Sequence, residues 1–199
     1  MAAGEQEIQN NMKKILTVLV LLVLSVAVHA QKDVTKFLGI PVDGSKPDMI
    51  YKLKAKGFSY DSTSDLLEGQ FNGSDVYVKV VTNGNKVYRI VVMDKNPTDE
   101  SNIKIRFNNL RRQFLNNTKY KAAIDSERFI PDDENISYEI VVNKKRYEAS
   151  FYQLPSDGNL TEDYSNKMVW FMIKEILYNQ FSIILYYDNG YNQANGEDL

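Results

Sequence analysis

The stretch VYVKVVTNGNKVYRIVVMD, residues 76–94, decides the fold. Val76, Val78 and Val80 fall on one side of an extended chain, opposite Tyr77, Lys79 and Val81. This is the period of two that a half-buried strand requires. Thr82-Asn83-Gly84-Asn85 then sets an Asn-Gly pair between alternating runs, the residue types that tolerate the positive φ of a tight hairpin turn. Residues 87–93 form the returning strand. Upstream, Leu67, Gly69 and Phe71 alternate ahead of a second turn at Asn72-Gly73, which predicts three antiparallel strands in succession.

A helix precedes this meander. In Ser45-Lys46-Pro47-Asp48, Ser45 can cap, Asp48 approximates a capping box, and Pro47 occupies the first turn, whose N–H groups lack intrahelical partners. Met49, Ile50, Leu53 and Phe58 make the apolar stripe. Lys52, Lys54 and Lys56 suit the negative end of the helix dipole, and Gly57 stops it. A second helix follows the meander from Pro97-Thr98-Asp99-Glu100, with Thr98 as its expected cap and Ile103, Phe107, Leu110 and Phe114 as a clean stripe.

After a connection over 122–134, strand alternation returns at 136–142 through Ile136, Tyr138 and Ile140, and again at 146–154 through Tyr147, Ala149 and Phe151. A polar loop covers 155–166. Residues 168–187 could be one buried helix, but their aromatic and β-branched content and the break at Tyr178-Asn179-Gln180 favour a hairpin. The expected order is α-βββ-α-ββββ, an α+β fold of two helix-plus-antiparallel-meander halves that either stand apart (about 31–95 and 96–188) or share one sheet across 31–188. The Asn- and Gly-rich tail, 189–199, is expected to be disordered.

Residues 12–31 read MKKILTVLVLLVLSVAVHAQ. Lys13 and Lys14 precede an aliphatic run, and Val28 and Ala30 put small residues where a signal peptidase needs them, so 12–30 reads as a secretory signal peptide. The polar residues 1–11 add nothing a signal needs, and translation is expected to start at Met12 instead. Cleavage after Ala30 would send the product to the periplasm or the medium, without a stable membrane anchor.

This leader, followed by FLGIPVDGSKPDMIYKLKAKGF (37–58) and VYRIVVMD (87–94), resembles small exported proteins of the Bacteroidota. The tandem helix-plus-sheet order is similar in outline to the β-lactamase-inhibitor-like folds of periplasmic binding modules. The resemblance implies an exported α+β protein and transfers no site residue.

Composition narrows the chemistry. The chain holds 199 residues with no Cys and one His, and that His lies inside the leader. A cleaved product could use neither thiol nor imidazole, which removes Ser-His-Asp and Cys-His catalysis, disulfides and His- or Cys-ligated metals. With 24 Lys+Arg against 26 Asp+Glu the chain is not a cationic nucleic-acid binder. Carboxylates remain, and Glu139, Glu148 and Glu175 are the candidates for a glycosidase pair. On strands, though, Glu139 and Glu148 face away from their apolar neighbours and read as solvated charge. Asp61-Ser62-Thr63-Ser64-Asp65 begins like a calcium loop but has Leu66 where the sharp turn needs Gly, so turn chemistry explains it. Lys104, Arg106, Arg111 and Arg112 read as a solvated helix face. No catalytic residue, metal site or cofactor is expected.

Aromatic residues are the remaining signal. There are 13 Tyr: Tyr77 lies opposite the Val76/Val78 face and Tyr152 opposite the Phe151 face, Tyr186 and Tyr187 straddle the last strand, and Tyr77, Tyr152 and Tyr186 are the candidates for an interaction face. Tyr is also simply a good strand residue, but a row of them suits contact with a protein or glycan of the cell envelope. The expectation is an exported, non-catalytic binding or interaction module using this face. The alternatives are a carboxylate-based hydrolase of envelope or dietary glycans, and a structural envelope protein without a small ligand.

Overall fold

A computed structural model describes residues 33–123, 128–155 and 164–194. The expected extension 1–11, the leader 12–30, most of the polar loop and the tail beyond residue 194 lie outside the described residues.

The fold is α+β. A two-stranded hairpin, β1 (Lys36–Phe37) and β2 (Ile40–Pro41), leads into α1 (Lys46–Ala55) and four strands, β3 (Ser59–Asp61), β4 (Leu66–Phe71), β5 (Ser74–Asn83) and β6 (Lys86–Asp94). Helix α2 (Glu100–Leu115), the short β7 (Tyr120–Ala122) and helix α3 (Ile136–Val141) follow. The chain ends with β8 (Glu148–Gln153), β9 (Met168–Leu177), β10 (Gln180–Asp188) and a 3₁₀ turn at Gly190–Asn192. The eight longer-range strands form one antiparallel sheet in the order β3-β4-β5-β6-β10-β9-β8-β7. The two halves therefore share a single sheet, joined where β6 pairs with β10 through Val92↔Leu185, Val91↔Tyr186 and Ile90↔Tyr187.

Local chemistry sets the boundaries. Ser45 caps α1, its Oγ accepting from the Asp48 N–H at 3.3 Å. The cap of α2 is Asp99, whose carboxylate accepts from the backbone and side-chain N–H groups of Asn102, both at 2.9 Å. Thr98, the expected cap, instead pairs its backbone with Phe181. The β5–β6 turn centres on Gly84-Asn85, with φ of 52° and 65°, one residue later than the Asn-Gly pair suggests. Such a turn alone would set Val78 opposite the outward-facing Val91. A register shift after Val81 leaves Tyr88 as the extra residue and restores Val78↔Val92, so the bulge repairs the core face.

Residues 136–142 correct the reading of a strand there. They form α3, because Asn135 Oδ1 accepts from the Tyr138 N–H at 2.8 Å while Glu100, on α2, takes the N–H groups of Ile136 and Ser137. Those bonds satisfy donors that a strand would have to pair elsewhere, and only Ile136 of the apparent alternation is buried. The fourth strand of the second half is β7. Residues 189–192 also depart from the expected disorder. The Asn189 N–H donates to the bulged Tyr88 carbonyl at 2.7 Å, and its side chain is buried and donates to Val42 O at 2.8 Å.

All three helices pack on the same face of the sheet. Met49 and Leu53 from α1, Ile103, Phe107 and Phe114 from α2, and Ile136 from α3 join one core with Val78, Ile90, Val92, Phe151, Phe171 and Leu185. Phe114 stacks on Phe151 at 4.8 Å, and Phe107 meets Phe171 edge-on at 5.1 Å. Each fully buried ring contributes about 2–3 kcal/mol by area alone. Phe37 of the lead-in, fully buried, lies against Phe71 and Tyr187 at 5.3 and 5.0 Å, so the segment before α1 is part of the core.

Candidate functional site

The opposite face carries no helix among the described residues. Strand register determines what it presents. One row runs Glu68, Tyr77, Met93, Ile184, Met172, Glu148 across β4, β5, β6, β10, β9 and β8. The next runs Lys79, Val91, Tyr186, Trp170, Ser150. The apolar middle of these rows spans three to four strands, about 14 Å at its widest with the usual strand spacing. Its members are half-buried.

The second row is rigid. Trp170 and Tyr186 stack across the β9–β10 pair with centroids 3.9 Å apart and planes 11° from parallel. The Arg89 guanidinium lies 5.1 Å from the Tyr186 ring. Asp188 fixes the group, accepting from Arg89 at 2.6 and 2.7 Å and from the indole N–H of Trp170 at 3.0 Å. Its own backbone carbonyl accepts from the Thr35 hydroxyl. Rings stacked on each other stand on edge from the sheet. They present edges and a bound cation at little further cost in side-chain entropy.

All three tyrosines singled out from the sequence lie on this face, in successive rows. Tyr77 has the Lys95 ammonium 5.6 Å from its ring, and Lys95 also pairs with Glu68. Tyr186 is in the stack, where burial foremost raises its phenol above the ordinary range. Tyr152 packs edge-on to Tyr164 at 5.8 Å. Trp170, Met93, Met172 and Ile184 were not singled out. The alternation of Met168, Trp170 and Met172 against Val169, Phe171 and Ile173 could have found three positions of this face once the hairpin was accepted.

The carboxylate candidates are engaged separately. Glu139 lies on α3 and accepts from Asn143, Glu148 pairs with Arg146 at 2.9 Å, and Glu175 accepts the Asn179 N–H at 3.0 Å. Asp61 accepts from Thr63 and Ser64, a local turn, while Asp65 is held by Lys46 and Tyr60. Among the described residues no three His, Asp, Glu or Cys side chains are grouped to hold a metal ion. The basic residues of α2 are not one solvated face, since Arg111 is buried and Arg106 reaches across to Asp94. Stripe residues and anchoring charges thus share the inner side of α2.

Cavities also open elsewhere among the described residues. One of about 670 Å³ is lined by Phe107, Arg128, Glu134, Lys145 and Tyr147. A second, about 400 Å³, includes Asp75, Asp94 and Arg106. A third, about 300 Å³, lies between the C-terminal half of α2 and the Asn72-Gly73 turn. No helix of the described residues is long and apolar enough to cross a membrane.

No family model, no curated protein and no solved structure matches this chain.

Proposed function

We propose that the protein is an exported, non-catalytic interaction module that docks a macromolecule of the cell envelope on the helix-free face of its sheet. The observation that carries this reading is the pair of rows built from Tyr77, Met93, Ile184 and Met172 and from Val91, Tyr186 and Trp170. Apolar and aromatic side chains in a contiguous, charge-flanked patch match the core-and-rim composition of a protein interface. The standing Trp170–Tyr186 stack favours a protein partner over a glycan. A flat ring face would suit a sugar, whereas ring edges beside a fixed guanidinium suit a shaped surface. Export rests on the leader at 12–30 and places the partner outside the cytoplasm.

The test compares two charge insertions. Met172→Lys puts an ammonium in the middle of the patch, and Ile105→Lys puts one on an exposed position of α2. In titrations against solubilised envelope protein from the producing cells, Met172→Lys should weaken association about tenfold or more, with Ile105→Lys unchanged. Equal effects, or loss only in Ile105→Lys, would overturn the reading.

A further inference from the structure

We propose that the cleft between the C-terminal half of α2 and the Asn72-Gly73 turn binds an uncharged sugar of one or two rings. This site faces the core side and is independent of the sheet face above. Its volume of about 300 Å³ is at the small end of ligand sites. None of its lining residues carries a formal charge, whereas the 670 Å³ and 400 Å³ cavities described above hold Arg, Lys, Asp or Glu. An ionised ligand would lose water there with no counter-charge in the lining.

The polar groups that are present match hydroxyls. Asn72, Gln113 and Asn117 are exposed carboxamides at the rim, each able to donate and to accept, as a sugar hydroxyl does. Asn72 Nδ2 donates to Gln113 Oε1 at 2.8 Å, bridging the two halves across the mouth. That bond uses the donor of one amide and the acceptor of the other, leaving the complementary atoms of both for a ligand. Asn72 is held by the turn, with φ of 50°.

Beneath the rim the walls are aromatic, from Phe71 and Phe114, and suit the C–H faces of a pyranose ring. The floor is Tyr120 beside the buried Tyr187. The Tyr120 hydroxyl accepts from Gln153 Nε2 at 3.1 Å, and Gln153 also exchanges hydrogen bonds with the backbone of Lys36. The floor is thus preorganised, so a ligand need not order it.

The test is a titration of the ¹⁵N-labelled protein, recovered from its producing cells, with cellobiose, maltose and N,N′-diacetylchitobiose. Glucuronic acid and glucosamine are the charged controls. At least one neutral sugar should give saturable shifts on the amides of residues 70–73 and 110–120, with a midpoint below about 10 mM. Gln113→Ala and Asn117→Ala, both at exposed positions, should each weaken it severalfold while leaving the spectrum folded. The charged controls should give no such shifts. The proposal is overturned by no saturable shift with any of the three sugars. Shifts centred on Trp170 and Tyr186, equal binding of the charged controls, or binding indifferent to both substitutions would overturn it as well.

Discussion

Arg89 and Asp188 hold the two halves of the sheet together on its helix-free side, paired by two hydrogen bonds of 2.6 and 2.7 Å across the β6–β10 seam. Both side chains are largely buried, 23% and 10% exposed. The hydrogen bonds from Arg89 to Asp188 foremost keep the guanidinium firmly protonated. Asp188→Ala strands that cation and removes the acceptor of Trp170, and is expected to cost about 2–4 kcal/mol. Arg89→Met combined with Asp188→Ala should cost less than the sum of the two single changes. Urea denaturation of the four proteins measures the coupling, and additivity would show that the pair does no joint work.

Gly69 permits a close approach of another kind. It lies on the core side of β4, and a Cβ built there would meet Cδ1 of Phe58 at 2.6 Å. The Phe58 ring fills the space of a missing side chain. Gly69→Ala must displace that buried ring and is expected to destabilise by about 1–3 kcal/mol, read from the denaturation midpoint. Gly69→Ala combined with Phe58→Leu should recover part of the loss.

Acid should unfold the protein partly through Glu134. Hydrogen bonds from Lys145 and then Tyr147 hold its carboxyl below the ordinary 4.5. A folded-state pKa below the unfolded one gives stability that is complete above that ordinary value and is lost as pH falls below it. Stability should therefore decline between about pH 5 and pH 3. Glu134→Gln should lower stability at neutral pH and shallow that decline, as measured by urea midpoints across the range.

Alkali acts on the raised phenols, Tyr147 and Tyr187 among them. Burial, then the bond to the Glu134 carboxylate, pushes Tyr147 upward, and burial with the Tyr120 hydroxyl pushes Tyr187 upward. Raised folded-state values mean that their contribution is full below the ordinary value of 10 and is lost as pH rises above it. Phenolate absorbance should show a late class that appears together with loss of near-ultraviolet circular dichroism. Full titration of every tyrosine before unfolding would contradict this placement.

Much of the architecture was legible because its signals are local. The stripes Met49/Leu53 and Ile103/Phe107/Leu110/Phe114, the Ser45 cap and the alternation around the 84–85 turn each lie within a few residues. Helix α3 was not legible, because Glu100, 36 residues away, supplies the acceptors for its first N–H groups. The order at 189–192 likewise depends on a carbonyl exposed by the bulge at Tyr88. The site was legible in part. Alternation put Tyr77 and Tyr152 on the outer face and left Tyr186 and Tyr187 straddling their strand, but which residues adjoin them follows from the β6–β10 seam and from bulges, which no single segment encodes.

Site-specific photo-crosslinking in the producing cells tests the interaction face most directly. A photoreactive residue replaces Tyr77, Met172 or Tyr186 on the sheet, and Tyr51 or Ile105 on the exposed sides of the helices. The three sheet positions should yield one common adduct outside the cytoplasm, and the two helix positions none. Adducts from the helix positions alone, or none from the sheet at any growth stage, would contradict the account.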